Sequence, residues 1–249
     1  MKENRAENMI IKILNLNLWG YNDFDKRKKL IVDFIKKHDP DIVTFQEVRD
    51  DSRQNTIGDN QLEQLNRSLK YKYSNFFETT DVNHVNKITN DPKYDPSNPR
   101  VKEGLGILSK QRIVKSKGFM LNQHKKDRYP RGILWARLVN NVDVVVAHYS
   151  FNDLFSKLHM EETLKVIKNN RLQPIIAGDF NILNQEIIKS AASEEYRISS
   201  NEFSYISFPP KNETLDYILI PRSYKFISFE CIGANLSDHK ALLAEIEIG

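Results

Sequence analysis

The chain alternates short strand-like runs with helix-like runs, and this alternation restricts its fold more than any other feature. Helical spacing of apolar residues appears in "DKRKKLIVDFIKKH", "NQLEQLNRSL" and "DLFSKLHMEETLKVIKNN". Strand-like runs include "MIIKILNLNLW", "PDIVTFQEV", "GLGILSK", "GILWARLV", "VDVVVAHYSF", "PIIAGDFNI", "TLDYILIP" and "HKALLAEIEI". Some strands follow one another directly and others are separated by a helix, so the sequence predicts an α/β fold with mixed sheets.

Two segments carry more local predictions. Leu30, Ile31, Phe34 and Ile35 form the predicted apolar stripe of the first helix. Residues 79–103 are polar, contain three prolines and show no clean period, which predicts a long loop or insertion. A functional loop and a disordered surface insertion are both compatible with that composition.

The chain-wide composition sets broad limits. With 249 residues, the chain is predicted to form a single domain over residues 1–249. No apolar run approaches the ~18 residues of a transmembrane helix, and the N-terminal stretch lacks the unbroken apolar core of a secretory signal. Cys231 is the only cysteine, so no internal disulfide is possible, and a cytoplasmic location is expected. The net charge of +4 permits an anionic partner without requiring one.

Polar residues recur at or near the ends of the apolar strands. Each of them has an ordinary explanation when taken alone: a turn, an exposed loop, a hydrogen-bonded core histidine or a cap. Several buried carboxylates are costly unless they are paired or bind a metal, so a shared site explains the set better. The residues are Asn17, Glu47, His148, Asp179, Asn181, Asp216, Asp238 and His239.

The residue types indicate the chemistry of such a site. Carboxylate and amide oxygens suit Mg²⁺, which is usually held by one or two carboxylates together with substrate phosphate. Histidines beside them suit proton transfer, because a zinc site would need three His or Cys ligands close together. The sequence therefore predicts metal-assisted hydrolysis of a phosphoester.

The order of the motifs resembles the endonuclease/exonuclease/phosphatase superfamily over residues 10–248. The resemblance rests on "LNLWG", "DIVTFQEV", "GLGILS", "VVVAHYS", "IAGDFN", "LDYIL" and "SDHKALLAEI" in this order. It implies a four-layer α/β sandwich of the deoxyribonuclease I type, with two mixed, mainly antiparallel sheets packed face to face and helices outside. It also implies dependence on Mg²⁺ or Mn²⁺.

The resemblance further implies roles for individual residues. Glu47 matches the direct metal ligand, Asn17 a residue that helps to hold the metal, and Asp238 a residue on the metal side of the histidine that follows it. The residues implied to act on the phosphate and the attacking water are His148, Asp179, Asn181, Asp216 and His239, with Asp216 orienting His239. Whether Asp179 or His239 is the base stays open.

Two further residues are candidates for substrate contact. Arg131 offers a planar fork for a phosphate, although a surface arginine before a strand is the simpler explanation. Asn152 lies in the loop after His148 and could reach the substrate, but it could also cap the following helix.

The substrate class is the least determined prediction. The cluster of Lys125, Lys126, Arg128 and Arg131 favours nucleic acid. Val48 and Arg49 follow Glu47, where abasic-site endonucleases usually carry a lysine two positions after the glutamate, so an abasic-site role is disfavoured. A phospholipid (sphingomyelinase-like) or small phosphoester substrate is the alternative, although no amphipathic apolar segment for a membrane surface is apparent. A catalytically inactive binding module is the alternative of another class, and no protein partner is predicted.

Overall fold

Two six-stranded sheets form the centre of the protein. The computed structural model describes residues 9–98, 100–123, 127–233 and 235–249. The first sheet has the order β11-β12-β1-β2-β4-β3. Its strands are β1 (Met9–Asn17), β2 (Ile42–Asp51), β3 (Tyr73–Asp81), β4 (Val101–Ser109), β11 (Lys225–Ile232) and β12 (Ala241–Ile248).

The second sheet has the order β5-β6-β7-β8-β10-β9. In each sheet one parallel pair, β1/β2 or β7/β8, is surrounded by antiparallel pairs. The predicted mixed, mainly antiparallel sheets are therefore confirmed. The strands are β5 (Ile113–Met120), β6 (Gly132–Leu138), β7 (Asp143–His148), β8 (Ile175–Asp179), β9 (Tyr196–Ile198) and β10 (Asp216–Pro221).

Helices cover the outer faces of the sheets and complete the predicted sandwich. Parallel neighbours need a crossover, and α1 and α4 provide it in the first and second sheet respectively. Among the described residues no helix combines the length and the apolar character needed to cross a membrane. The α-helices are α1 (Phe24–His38), α2 (Gln61–Leu69), α3 (Val82–Ile88), α4 (Asp153–Asn169), α5 (Gln185–Ala192) and α6 (Ser199–Glu202).

Three apolar layers hold the sandwich together. Ile13, Ile107 and Val146 belong to the layer between the sheets and are fully buried. One outer layer packs α1 and α2 on the first sheet, and the other packs α4 and α5 on the second. Burial of this much apolar surface is the main force that fixes the strand ends in space.

Two local predictions need correction. Leu30, assigned to the apolar stripe of α1, is 48% exposed, whereas Arg27 is buried there because its guanidinium donates to the backbone oxygens of Asn22 and Leu236. The predicted loop 79–103 is also partly regular. It contains the end of β3, all of α3 and the start of β4, because Asp81 caps α3 by accepting a hydrogen bond from the His84 amide. The prediction of a single domain over residues 1–249 stays a prediction.

Candidate active site

Three adjacent strands of the second sheet bring a histidine and two aspartates into one row. His148 at the end of β7 is in register with Asp179 at the end of β8, and Asp179 is in register with Asp216 at the start of β10. Side chains in register on neighbouring strands point to the same face of a sheet. Gly178 allows the close approach of β8 to β7, because a Cβ atom there would lie 2.0 Å from the Ala147 carbonyl oxygen.

The first sheet supplies an amide and a glutamate to the same place. Asn17 ends β1, and Glu47 lies in a bulge of β2 with a left-handed backbone (φ 52°). The Asn17 Nδ2 atom donates to Glu47 Oε1 at 3.2 Å and to Asp179 Oδ2 at 3.1 Å. A single buried amide thus connects the carboxylates of the two sheets.

His239 approaches Asp179 from the loop that precedes β12. Its Nδ1 atom lies 2.8 Å from Asp216 Oδ2, and its Nε2 atom lies 3.8 Å from Asp179 Oδ2. Burial disfavours the charged imidazole, but the Asp216 carboxylate outweighs burial and raises the pKa of His239 to about 10. His239 is therefore a cation at neutral pH, with its Nδ1 donating to Asp216.

His148 approaches Asp179 from the opposite side and has the opposite charge state. Its Nε2 atom lies 3.7 Å from Asp179 Oδ2, while the Arg131 Nη1 atom lies 2.9 Å from its Nδ1 and 3.2 Å from its Nε2. Burial and the charge of Arg131 lower the pKa of His148 well below its usual value. Because arginine only donates, the imidazole nitrogen accepts this hydrogen bond and the ring is neutral.

The carboxylates at the centre repel one another. Burial and the charge of Asp216 raise the pKa of Asp179 to about 7. Burial and the charge of Glu103 raise the pKa of Glu47. In addition, the buried Asp216 Oδ1 atom has no hydrogen-bond partner among the described residues.

These features fit a divalent cation. The carboxylate oxygens of Glu47 and Asp179 both accept from the Asn17 side-chain amide and are therefore close together. A hard cation bound to both carboxylates would offset the repulsion between their negative charges. Ligand atoms of Asp179, Asp216 and His239 also lie within 4.8 Å of one another. The carboxylate oxygens of Glu47 and Asp179 are donors of the type that such a cation prefers.

The remaining predicted residues lie around this cluster. The Asn181 amide nitrogen donates to Asp179 Oδ1 at 3.0 Å, so Asn181 belongs to the site. Asp238 is partly exposed and accepts a hydrogen bond from Ser237 Oγ at 2.9 Å. Arg131 is buried, and the alternative of a surface arginine is wrong. Asn152 caps α4 by accepting from the Leu154 and Phe155 amides, so its side-chain oxygen serves the helix and not the cluster.

The predicted basic cluster is only partly described. Lys125 and Lys126 lie outside the described residues. Arg128 forms an ion pair with Asp91, so part of its charge is neutralised within the protein.

Sequence reasoning missed Glu103 as a site residue. Glu103 is 7% exposed, its Oε2 atom accepts from Arg49 Nε at 2.7 Å, and its Oε1 atom lies 3.9 Å from Arg131 Nη1. It thereby connects Arg49, two positions after Glu47, with the arginine beside His148. A charged residue at the start of the apolar run "EGLGILS" was the available signal, and the polar segment around it concealed that signal.

Comparison with known proteins identifies the family. The family model described as Endonuclease/Exonuclease/phosphatase family matches residues 14–239. The chain belongs to the endonuclease/exonuclease/phosphatase family. Members of this family hydrolyse phosphoester bonds and are generally dependent on divalent metals. A comparison with curated protein sequences finds no match.

Solved structures share the fold at low identity. An endonuclease/exonuclease/phosphatase from Beutenbergia cavernae is 17% identical, with a TM-score of 0.73 over 96% of this chain and 72% of the other. A D. rerio TDP2 complexed with single strand DNA product is 14% identical, with a TM-score of 0.66 over 96% of this chain and 100% of the other. A mannosyl-6-phosphatase from Bacteroides thetaiotaomicron is 14% identical, with a TM-score of 0.65 over 95% of this chain and 99% of the other. These similarities establish the fold but do not select a substrate.

Proposed function

We propose that the chain is a divalent-metal-dependent phosphodiesterase that acts on nucleic acid by attack of water on phosphorus. One observation carries this proposal. The buried Asp179 carboxylate lies within 4 Å of Asn17, His148 and His239, which come from both sheets. Carboxylates with raised pKa values beside one cationic and one neutral histidine can move protons and stabilise an anionic phosphoryl group.

Glu47 and Asp179 are the residues that would hold the cation, with Asn17 between them and Asp238 near the cationic histidine. When bound, the cation supplies positive charge to the phosphoryl oxygens of the substrate. Mg²⁺ or Mn²⁺ as the metal and a cytoplasmic location stay predictions from the sequence.

The chain's own residues divide the proton chemistry. His239 carries a proton at neutral pH and can donate a hydrogen bond to a phosphoryl oxygen through Nε2, while Asp216 holds its ring. The Asn181 amide fixes the orientation of the Asp179 carboxylate, which faces both histidines, so we assign to Asp179 the proton of the attacking water. This assigns the base to Asp179 and charge stabilisation to His239.

We place the leaving oxygen of the phosphodiester next to His148, on the side of Asp179 opposite His239. Arg131 Nη1 lies 2.9 Å from Nδ1 and 3.2 Å from Nε2 of His148, so the guanidinium charge is close to this side of the site and can stabilise a negatively charged leaving oxygen. Arg131 therefore acts both as a phosphate contact and as the residue that orients His148.

A phospholipid substrate is the second candidate, because one rim of the site is apolar. Phe151 and Leu154 follow His148, Leu183 follows Asn181, and these three side chains are 60%, 61% and 47% exposed. Asn181 Nδ2 donates to the Tyr149 carbonyl oxygen, so the two loops that carry them are joined. This surface could not be predicted from the sequence, because its residues lie in two separate loops.

A metal-dependent substrate panel tests the proposal. It contains a bis-aryl phosphodiester, an aryl phosphomonoester, plain and abasic DNA, RNA, and sphingomyelin in mixed micelles, each with Mg²⁺ or Mn²⁺ at low salt. We expect the wild type to cleave the bis-aryl phosphodiester and nucleic acid, and we expect Asp179→Asn to cleave neither. Faster cleavage of sphingomyelin than of nucleic acid would favour the phospholipid substrate instead. No cleavage of any substrate would support an inactive binding module.

A further inference from the structure

A polar groove of about 600 Å³ opens beside the catalytic cluster. Its walls are the β1–α1 turn with Tyr21, the end of β2 with Arg49 and Arg53, and the segment from α3 to β4 with Tyr94. Tyr129 lines the groove near Arg131, whose guanidinium carbon is 5.8 Å from the Tyr129 ring centroid. The groove is large enough for a small ligand or for a part of a polymer.

Arg49 connects this groove with the cluster. Its Nε atom donates to Glu103 Oε2 at 2.7 Å, and Glu103 Oε1 faces Arg131 at 3.9 Å. Among the described residues the Arg49 side chain makes no other hydrogen bond, which leaves its two terminal Nη groups for an anionic ligand. Glu103 thus lies between Arg49, at the groove, and Arg131, beside His148.

Arg49 is also held in place by its backbone. Its amide nitrogen donates to Gln61 Oε1 at 2.9 Å, and Gln61 Nε2 donates to the Gly20 carbonyl oxygen at 2.6 Å. Gly20 has a left-handed backbone, and a Cβ atom there would lie 3.1 Å from Arg49 Cγ. The arginine is therefore fixed before a ligand arrives, which reduces the entropic cost of binding.

The opposite wall is fixed in the same way. Asn83 Nδ2 donates to the carbonyl oxygens of Asp95 and Asn98, both at 2.8 Å. Asn98 Nδ2 in turn donates to Asp51 Oδ1 at 2.9 Å, across the groove from α3. These bonds hold the loop that carries Lys93 and Tyr94 against the end of β2.

We infer that this groove binds the nucleotide that flanks the scissile phosphate in a single-stranded nucleic acid, an inference that rests on the proposed function. Arg49 would contact the neighbouring phosphate, and the half-buried Tyr94 ring would stack on the base. Base faces are available to aromatic side chains in single strands but are covered by neighbouring pairs in a duplex. The polar lining disfavours an acyl chain, which would contact the apolar rim of Phe151, Leu154 and Leu183 instead.

The test compares two substrates in each variant. One is a short single-stranded oligonucleotide, and the other is a bis-aryl phosphodiester, which has no flanking nucleotide. The quantity measured is kcat/KM for the oligonucleotide divided by kcat/KM for the aryl substrate. We expect this ratio to fall about 10-fold in Tyr94→Ala, in line with the stacking energy of one base, and about 10-fold or more in Arg49→Met.

Three controls make the result specific. Tyr94→Phe keeps the ring and is expected to keep the ratio. Lys72→Ala removes an exposed cation outside the groove and is expected to leave the ratio unchanged. Thermal melting of each variant excludes unfolding, and fluorescence polarisation with Asp179→Asn is expected to show tighter binding of the single strand than of its duplex.

The outcomes separate the two proposals. If the wild type cleaves neither the oligonucleotide nor the aryl phosphodiester, the proposed function fails. If both are cleaved while Tyr94→Ala and Arg49→Met leave the ratio unchanged, or if the duplex binds as tightly as the single strand, the assignment of the groove is wrong.

Discussion

The two buried histidines of the site contact the same carboxylate but have opposite charge states. His239 and His148 place their Nε2 atoms 3.8 Å and 3.7 Å from Asp179 Oδ2. The other nitrogen of His239 lies 2.8 Å from Asp216, which favours the cation, whereas Arg131 Nη1 lies 2.9 Å and 3.2 Å from the two nitrogens of His148, which favours the neutral ring. Burial disfavours the charged form of both rings, and the pKa values differ because the neighbouring charge is a carboxylate at His239 and a guanidinium at His148.

Because of this difference, the two sides of Asp179 present different groups to a bound phosphate. A substrate phosphoryl group bound next to Asp179 would have the protonated imidazole of His239 on one side. On the other side it would have the neutral imidazole of His148 together with the guanidinium of Arg131. The first arrangement can stabilise negative charge directly through Nε2, and the second acts through the arginine. Substitutions on each side should therefore have unequal effects.

The largest effect is expected on the side of His239. The substitution His239→Gln removes the charged donor and should lower kcat by about 10³-fold, within the range for removal of an acid–base or charge-stabilising group. Steady-state kinetics on a bis-aryl phosphodiester measures it. The exposed His84 provides the control, since His84→Gln should retain wild-type kcat. Equal kcat values for the two variants would contradict the role of His239.

A smaller loss is expected on the side of His148. The substitution Arg131→Met should lower kcat by about 10²-fold, because the charge that stabilises the leaving oxygen is lost. It should also raise the pKa of His148, since a neighbouring cation is removed, and NMR titration of the imidazole reports this. Arg137→Met is the control, because Arg137 lies at the opposite end of β6 from Arg131 and pairs with Asp143 of β7. An unchanged His148 titration in Arg131→Met would contradict the proposed cause of its neutrality.

The stability of the His239 side should depend on pH. The folded pKa of about 10 lies above the ordinary value of 6.5, so its contribution is complete below pH 6.5 and is lost as pH rises through about 10. Unfolding free energy of the metal-free wild type should decrease over this window by at most about 1.4 kcal/mol per pH unit, relative to His239→Gln. Denaturant unfolding at pH 6.5, 8 and 10 measures the difference. Parallel pH profiles would show that the Asp216–His239 ion pair does not form as described.

The smallest effect on kcat is expected for Asn152, which caps α4 and is not part of the catalytic cluster. The substitution Asn152→Ala removes the side-chain acceptor at the start of α4 and should lower the unfolding free energy by about 1 kcal/mol. Its kcat should remain within about twofold of wild type, because the side chain serves the helix. Denaturant unfolding and kinetics on one preparation measure both values. A lower kcat without a lower unfolding free energy would instead support Asn152 as a substrate contact.

Much of the site could be predicted from the sequence, because the order of motifs fixes which strand ends carry polar residues. Asp216 and His239 were paired in advance, and the structure places them 2.8 Å apart. The opposite charge states of the two histidines could not be predicted, since they depend on contacts between residues of different strands. Glu103 was missed for the same reason: its partners, Arg49 and Arg131, lie 54 and 28 positions away.

The fold was predictable to a similar depth. Strands with apolar runs, such as β7 and β8, could be predicted, whereas β3, β5 and β11 are edge strands with few buried residues and show no clear sequence pattern. Helix α3 was hidden because its seven residues are too few to show a helical period. The burial of Arg27 on α1 could not be predicted either, since it depends on the backbone oxygens of Asn22 and Leu236.

Titration with Mn²⁺ is the most direct test of the claim that Glu47 and Asp179 converge on one cation. The electron paramagnetic resonance signal of free Mn²⁺ decreases as the ion binds, so the dissociation constant can be measured without substrate. We predict one tight site in the wild type and in Glu161→Gln, an exposed control on α4, and at least 10-fold weaker binding in Glu47→Gln and in Asp179→Asn. Wild-type affinity in both of these variants would contradict the account.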